Sequence, residues 1–211
     1  MPTPVVLVHD LGSSASALQG VAEALAPRTV IAPDLPGHGT RTGEPVTFEA
    51  VTDSIAAACL EASESPILVG FGAGAHLAIA AAGASASAVI AVGCGTEPLS
   101  WSLDSYRTAS MALLLLPDQG AAVNDATSQS FGAASSMREI LERLARIDIR
   151  DGLRQIDSPV TLINGSRDRF RMQERALLRA ARHSTLVRVP GLATAASEAT
   201  IRAIAAAAQT R

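Results

Sequence analysis

The chain has 211 residues, 48% of them hydrophobic, and its 17 basic and 20 acidic residues leave a formal net charge of -3. This length fits one compact domain, and a weak charge without long basic or acidic blocks argues against nucleic acid or an anionic membrane as the main partner. The cysteines Cys59 and Cys94 form neither a disulfide framework nor a metal-ligand pattern, so both are expected to be free thiols.

Strands and helices alternate along most of the chain. Apolar runs predict strands and helical spacing predicts helices, in the order strand 4–8, helix 15–26, strand 29–32, helix 47–62, strand 67–70, helix 73–82 and strand 88–93. The second half adds strand 159–165, helix 172–182, strand 184–189 and helix 196–209. Continuous apolar strands are buried on both faces, so the pattern indicates an α/β protein with a doubly wound, mostly parallel sheet of about six strands.

Residues 97–150 interrupt this alternation and end in the helical stretch SSMREILERLARID. Connections of this length are usually functional or disordered, which favours a small cap over a ligand pocket; an ordinary long connection is the alternative. Residues 1–96 and 151–211 are then the two parts of one α/β core. The longest apolar run, 111–116, is far below the ~20 residues that span a bilayer, and no basic segment precedes an apolar one at the start, so we expect a cytoplasmic protein without a membrane partner.

Ligands of open α/β sheets bind beyond the carboxyl ends of the strands, so the motifs there carry the functional prediction. These ends read HDLGSS, PDLPGHG, GFGAG, GCGTEP, NGSRD and PGLAT. In this order they resemble the α/β-hydrolase superfamily, in its small, capped subgroup of lipase- and esterase-like or cofactor-free proteins. The resemblance covers nearly the whole chain apart from the cap, and it implies that the first two strands of the family's fold are missing.

The resemblance also implies a degenerate catalytic triad. The nucleophile elbow G-x-S-x-G reads GFGAG here, which puts Gly72 in place of the serine, and Thr194 stands where the histidine is expected. Asp168 matches the triad acid. A serine nucleophile needs an imidazole base, and losing either costs on the order of 10⁶ in turnover in a well-studied protease. We therefore expect a pseudo-hydrolase, in which a serine-hydrolase mechanism does not operate.

The oxyanion hole of the family would be formed by the N–H of Ala73 and an N–H near Asp10 or Leu11, next to His9. The usual His-Gly is His-Asp in this chain. If the Asp10 carboxylate faces the pocket, its charge repels an oxyanion and favours a cation or a hydrogen-bond donor. If it faces solvent or caps the helix that follows it, it has no chemical role. Both interpretations stay open, and Asp10 joins Asp168 as a candidate catalytic residue.

Other residues are candidates for the pocket, each with a structural alternative. Cys94 ends the strand next to the elbow, but a thiol nucleophile needs a base and no histidine can be named for it, so packing is favoured. Glu97 is a replacement carboxylate or a loop charge. Trp101 and Tyr106 either grip a ligand or pack the cap. The histidines are interpreted as structural residues rather than displaced bases: His9, His38, His76 and His183.

Three functions remain open. The first is a non-hydrolytic enzyme that cyclises, eliminates or rearranges a largely apolar metabolite by positioning and proton transfer, since the superfamily includes lyases, cyclases and cofactor-free enzymes. The second is an inactive protein that binds a ligand or a partner. The third is an ester or thioester hydrolase or acyl transferase with a non-standard nucleophile. All three imply a small-molecule site, and no fingerprint for a cofactor or a metal is present. The sequence does not indicate an oligomeric state.

Overall fold

Strands from both halves of the chain join in one sheet in the computed structural model, which describes residues 2–83, 85–96, 140, 143–144, 146–168 and 173–210. The strands are β1 (Val5–Val8), β2 (Val30–Ile31), β3 (Ile67–Phe71), β4 (Ala88–Val92), β5 (Val160–Gly165) and β6 (Ser184–Val189). All pairs are parallel, in the order β2-β1-β3-β4-β5-β6. The α/β class predicted from the sequence, with a parallel sheet of six strands, is therefore confirmed.

Helices cover both faces of this sheet. They are α1 (Gln19–Ala24), α2 (Phe48–Glu61), α3 (Ala73–Ala82), α4 (Ile149–Gln155), α5 (Glu174–Ala180) and α6 (Glu198–Gln209). Successive side chains of a strand point to opposite faces, so Val6 and Val8 of β1 belong to the core formed with α2 to α5. Val5 and Leu7 belong to the core formed with α1 and α6. Every residue of β1, β3 and β4 is buried, which explains their continuous apolar sequences.

The strand order identifies the point of the sheet at which a ligand is expected to bind. From β1 the chain passes to β2 on one side, and it then returns to β3 on the other side. In doubly wound sheets the crevice at such a reversal, beyond the carboxyl ends of the strands, is the usual ligand site. His9 and Asp10 follow β1, and Gly72 follows β3. Two motifs that are far apart in sequence therefore lie at the same edge.

Two helical regions differ from the sequence prediction. The predicted helix 15–26 is a 3₁₀ turn, Ala15–Leu18, followed by α1, which ends at Ala24. Helix α4 was not predicted, and it begins because the Asp148 carboxylate accepts a hydrogen bond from the Arg150 N–H at 2.9 Å. Asp148 itself has extended backbone, which separates α4 from the preceding stretch, predicted as a helix and helical at 140, 143, 144 and 146. An aspartate can stop one helix and cap the next.

The prediction of a cap over residues 97–150 falls mostly outside the described residues. Glu97, Trp101 and Tyr106 lie there, so their assignment to the pocket stays a prediction. At the far side of this segment, Arg143 forms an ion pair with Glu49 and lies 5.3 Å from the centre of the Phe48 ring, so the chain rejoins the core against the start of α2. Within the described ranges, no helix is both long and apolar enough to cross a membrane.

Candidate functional site

The turn between β3 and α3 has the backbone of a nucleophile elbow without its side chain. Gly72 has φ 54° and ψ -120°, a conformation that glycine adopts without a steric penalty. Its neighbours in the motif permit close approach: a Cβ on Gly74 would lie 2.3 Å from the His9 carbonyl oxygen, and one on Gly70 would lie 2.5 Å from the Gly74 carbonyl oxygen. The glycines of GFGAG therefore bring strand, turn and helix together, and residue 72 presents no nucleophile.

Asp10 fills the space that this missing side chain leaves. A Cβ built on Gly72 would lie 2.4 Å from Oδ2 and 2.6 Å from Oδ1 of Asp10. Oδ1 accepts hydrogen bonds from the Leu11 N–H at 2.9 Å and from the Ala73 N–H at 2.8 Å. These are the donors that the family resemblance assigns to the oxyanion hole. The carboxylate therefore faces the elbow, and it caps α3 rather than the helix that follows it in sequence.

The hydrogen-bond donors of this contact include the N-terminus of a helix. Ala73 is the first residue of α3, whose N-terminus carries a partial positive charge. Hydrogen bonds from backbone N–H groups to a carboxylate are charge-assisted and stabilise the negative form. The donors that would stabilise a substrate oxyanion in a hydrolase are thus bound by a residue of the protein itself.

His9 and His38 lie side by side beneath the loops after β1 and β2, with ring centres 5.2 Å apart. His9 is fully buried; its Nε2 accepts from the Leu35 N–H at 3.0 Å, so its Nδ1 carries the proton and donates to the Asp10 carbonyl at 2.8 Å. Burial lowers the pKa of His9 to about 4 and also lowers that of His38. His9 therefore ties the two loops as a neutral residue, as a structural role requires.

Cys94 has a histidine beside it, which sequence reasoning did not find. The His76 ring nitrogens lie 3.8 and 3.9 Å from the Cys94 sulfur, because α3 packs against β4. Nδ1 of His76 lies 3.1 Å from the Gly72 carbonyl oxygen, and Nε2 lies 3.0 Å from the Gly95 carbonyl oxygen. Burial raises the pKa of Cys94 to about 12 and lowers that of His76 to about 4. The pair is thus a thiol beside a neutral imidazole, which fits packing rather than nucleophilic attack.

Asp168 holds the backbone at the ends of β5 and β6. Its Oδ2 accepts from the Gly165 N–H at 2.5 Å and from the Ala193 N–H at 3.4 Å. Burial raises the pKa of Asp168, the Glu174 carboxylate adds to this, and the two backbone hydrogen bonds oppose it. Thr194 follows Ala193, and its carbonyl accepts from the Ser197 N–H at 3.1 Å. Asp168 therefore contacts the loop that carries Thr194, through the backbone.

A buried charge behind this corner was missed by sequence reasoning. The Glu174 side chain is 1% exposed and accepts a hydrogen bond from the Arg188 guanidinium at 2.7 Å. Beside it, Asn164 accepts from the Cys94 N–H at 3.0 Å and donates to the Cys94 carbonyl at 3.2 Å, so it joins β5 to the end of β4. One signal was available: Glu174 lies three residues before the buried Leu177, on the apolar face of α5.

The described residues contain no cluster of three or more metal-ligating side chains. Three carboxylates at the carboxyl ends of the strands instead have hydrogen-bond partners within the protein. Asp10 is bound to the elbow, Asp34 accepts from the Ala15 and Thr40 N–H groups, and Asp168 is bound to the β5 and β6 ends. Each carboxylate holds a loop, and Asp10 is the one that lies against Gly72.

Comparison with known proteins concerns the fold of the whole chain. The model of the alpha/beta hydrolase family matches residues 5–207. A lipase-esterase related protein from Clostridium acetobutylicum superposes with a TM-score of 0.78 at 17% identity, over 99% of this chain and 94% of that chain. NosK from Streptomyces actuosus gives 0.75 at 18%, over 100% and 97%. The esterase RhEst1 from Rhodococcus gives 0.70 at 20%, over 99% and 90%.

At these identities the structural likeness shows the fold alone. No curated protein matches the chain. The resemblance inferred from the strand-end motifs is nevertheless confirmed at the level of the superfamily, because the family match covers almost the entire chain and the neighbours share its length.

Proposed function

The chain belongs to the alpha/beta hydrolase family, and from that premise we propose that it is a non-hydrolytic small-molecule enzyme. In this proposal it binds a largely apolar metabolite at the elbow and promotes a cyclisation, elimination or rearrangement by positioning and proton transfer. One observation carries the proposal: the Asp10 carboxylate accepts hydrogen bonds from both Leu11 and Ala73, directly over Gly72.

This observation weighs against acyl transfer. Ester hydrolysis through an acyl-enzyme develops negative charge on the carbonyl oxygen, and backbone donors stabilise that charge. Here a substrate carbonyl would meet the negative charge of Asp10 in the same place. Removing a single donor from an oxyanion hole costs about 10² to 10³ in turnover, and in this chain both donors are bound to Asp10.

The remaining nucleophile candidates are also poorly suited. Cys94 is fully buried with a pKa near 12, so its thiolate is negligible at neutral pH. Asp168 is hydrogen-bonded to the backbone of two strand ends, and Thr194 supplies no imidazole. These features count against the hypothesis of a hydrolase with a non-standard nucleophile.

Asp10 is the group we assign to proton transfer. Both backbone hydrogen bonds go to Oδ1, and Oδ2 is the oxygen nearest to the position that a nucleophile's Cβ would take. In this proposal the carboxylate acts as a general base on a substrate proton that comes within hydrogen-bond reach of Oδ2. Correct positioning of a bound substrate can contribute ~7 to 11 kcal/mol to a reaction without any covalent intermediate.

A ligand-binding protein without turnover is the second candidate. The same hydrogen bonds also support this candidate. A carboxylate that caps α3 stabilises the fold whether or not it touches a substrate. The two candidates differ in one outcome: only the enzyme converts its ligand, and only through Asp10.

The test has two arms. Activated esters and thioesters are offered to the wild type and to the variants Asp168→Asn and Cys94→Ala; we expect cleavage at the buffer rate in all three. A metabolite extract is then incubated with the wild type and with Asp10→Asn, and products are followed by mass spectrometry.

A product formed by the wild type and not by Asp10→Asn supports the enzyme. A metabolite that both proteins retain unchanged supports the ligand-binding alternative. Ester cleavage that one of the first two variants removes would overturn the proposal and identify the nucleophile or base.

A further inference from the structure

The basic residues of the chain are concentrated in one segment. Seven of the 17 lie between residues 167 and 188, where there are two acidic residues, Asp168 and Glu174. Both of these carboxylates have partners inside the protein: Asp168 accepts from the backbone, and Glu174 is buried and paired with Arg188. The segment that forms α5 and β6 therefore has an excess of positive charge, although the whole chain has a net charge of -3.

Arg175 and Arg179 lie at the centre of this positive region, and we call the two residues the basic surface. Both are exposed, one helical turn apart on α5. Among the described residues, no carboxylate forms an ion pair with either of them. Like charges four residues apart on a helix repel each other. Carboxylates from another surface would relieve this repulsion.

The exposed side of α2 has the opposite charge. The sequence has neither lysine nor arginine between Arg41 and Arg107, and the last turn of α2 has no basic residue. Asp53 and Glu61 are exposed on this helix. Glu61 is its last residue, where the helix dipole disfavours a negative charge. A cation supplied by another surface would therefore stabilise this end of α2.

Leu60 adds an apolar group to the same side of α2, and we call Asp53, Leu60 and Glu61 the acidic surface. Leu60 is 85% exposed, the most exposed of the large hydrophobic side chains that the structure describes. It lies seven residues after Asp53, so the two share one face of the helix. Arginine stems cover apolar groups while their guanidinium groups bind carboxylates. The basic and acidic surfaces are therefore complementary in charge and in apolar contact.

The two surfaces lie at opposite ends of one layer of helices. On this face of the sheet α2 contacts α3, α3 contacts α4, and α4 contacts α5. The basic surface of a molecule cannot reach its own acidic surface, because α3 and α4 lie between them. Only a second copy can bring the two together. Because two different surfaces meet, the contact is heterologous.

We propose that copies of this protein associate head to tail, with Arg175 and Arg179 of one copy on Asp53, Leu60 and Glu61 of the next. A second copy is favoured over a different acidic partner because both complementary surfaces are present on this chain. The association is weak, since exposed ion pairs contribute little and are screened by salt. This contact is independent of the reaction proposed at the elbow.

The first test measures the average molecular mass of the wild type by sedimentation equilibrium. At about 200 µM protein and about 20 mM salt we expect a mass at least about 1.5 times that of the monomer, rising with concentration. At about 500 mM salt the mass should return to that of the monomer, because the charges are screened.

Two charge reversals make the test specific. Arg179→Glu and Glu61→Arg should each weaken the association at least about fivefold, because attraction between the surfaces becomes repulsion. Glu61→Arg also places a favourable charge at the end of α2, so loss of association in this variant is not explained by unfolding. The controls Arg202→Glu on α6 and Glu23→Arg on α1 make the same reversals on exposed residues of the other face and should leave the mass unchanged.

Mixing the two variants provides the most direct result. In a 1:1 mixture of Arg179→Glu and Glu61→Arg, each reversed surface meets its complement on the other variant, so the mass should return to the wild-type value. Four results would overturn the inference: a monomer at about 200 µM in low salt, an association that salt does not weaken, an association that survives both reversals, or a mixture that stays monomeric. Ester cleavage by the wild type would overturn the proposed function and leave this inference standing.

Discussion

The elbow after β3 and the corner formed by the ends of β5 and β6 each hold a carboxylate, but the two carboxylates have different surroundings. At the elbow, Gly72 has no side chain, and Asp10 from another loop lies where a Cβ on residue 72 would be. At the corner, the Asp168 carboxylate binds backbone N–H groups of the two strand ends. The first carboxylate therefore lies against a turn next to a helix N-terminus, whereas the second joins two strand ends.

This contrast predicts where substitutions will have the larger effects. A carboxylate bound to backbone at a strand end stabilises the loops around it, and it does not need a catalytic histidine to do so. A carboxylate bound to the Leu11 and Ala73 N–H groups occupies the backbone donors of the proposed ligand site. We therefore expect substitutions at the elbow to change ligand binding and stability together, and substitutions at the corner to have small effects.

The largest effect expected is acid destabilisation of the elbow region. The pKa of buried His9 and of buried His76 is about 4, against 6.5 in an unfolded chain, so the unfolded state binds more protons between these values. Their contribution to stability is complete above pH 6.5 and is lost as the pH falls towards 4. The expected slope is about 1.4 kcal/mol per pH unit for each histidine, measured by urea unfolding at several pH values.

His9→Gln provides the control for this pH dependence. The glutamine amide can still accept from the Leu35 N–H but does not titrate, so the slope between pH 6.5 and 4 should fall by about 1.4 kcal/mol per pH unit. An unchanged slope would show that His9 does not contribute to the acid sensitivity.

The next effect is steric and tests how tightly the elbow is packed. Gly74→Ala would place a Cβ 2.3 Å from the His9 carbonyl oxygen, which is backbone and cannot rotate away. We expect a loss of about 3 kcal/mol in the free energy of unfolding, at the upper end for overpacking. Gly43→Ala is the matched control, because a Cβ there meets nothing within 4 Å. Equal melting temperatures for the two variants would contradict the described contact.

A smaller effect tests the pairing of residues 10 and 72. Gly72→Ser should destabilise the protein, through its positive φ and through collision with the Asp10 carboxylate. In the background Asp10→Gly the collision is absent, so the same substitution should cost less. We expect a coupling free energy of about 2 kcal/mol in this double-mutant cycle. Additive effects would mean that the two residues do not compete for one space.

The smallest effect is expected at the corner and has the opposite dependence on pH. Burial raises the pKa of Asp168 above 3.8, so its contribution to stability falls as the pH rises from 3.8 through the raised value. Asp168→Asn removes the loss of stability that ionisation of this carboxyl causes, and it keeps an oxygen that can accept from the Gly165 N–H. At pH 7 we expect a change within about 0.5 kcal/mol by urea unfolding, and a loss of several times this amount would assign Asp168 a larger role.

Much of the architecture was predictable because the signals are local. The strands β1, β3 and β4 are continuous apolar runs, and their burial on both faces confirms why. Helix α4 was missed because its start depends on one side chain, Asp148, at the end of a stretch with the same helical periodicity. Such a boundary is set by a cap rather than by the hydrophobic pattern.

The site was less predictable because its contacts are distant in sequence. Gly72 and Thr194 could be identified from motif positions, but the two interpretations of Asp10 could not be separated. The decisive contact, from the Ala73 N–H to Asp10, joins residues 63 positions apart. The approach of His76 to Cys94 similarly depends on how α3 packs against β4. Neither contact leaves a periodic signal in the sequence.

The buried thiol at the end of β4 has a consequence for measuring motion. Cys94 has no exposed surface, and its sulfur lies against His76 under the elbow. Among the described residues, α3 and the strand ends cover the sulfur, so the rate of its alkylation under native conditions reports how often they separate. The protein thus carries an internal probe at its proposed site, and a ligand that binds the elbow should lower the rate of Cys94 alkylation.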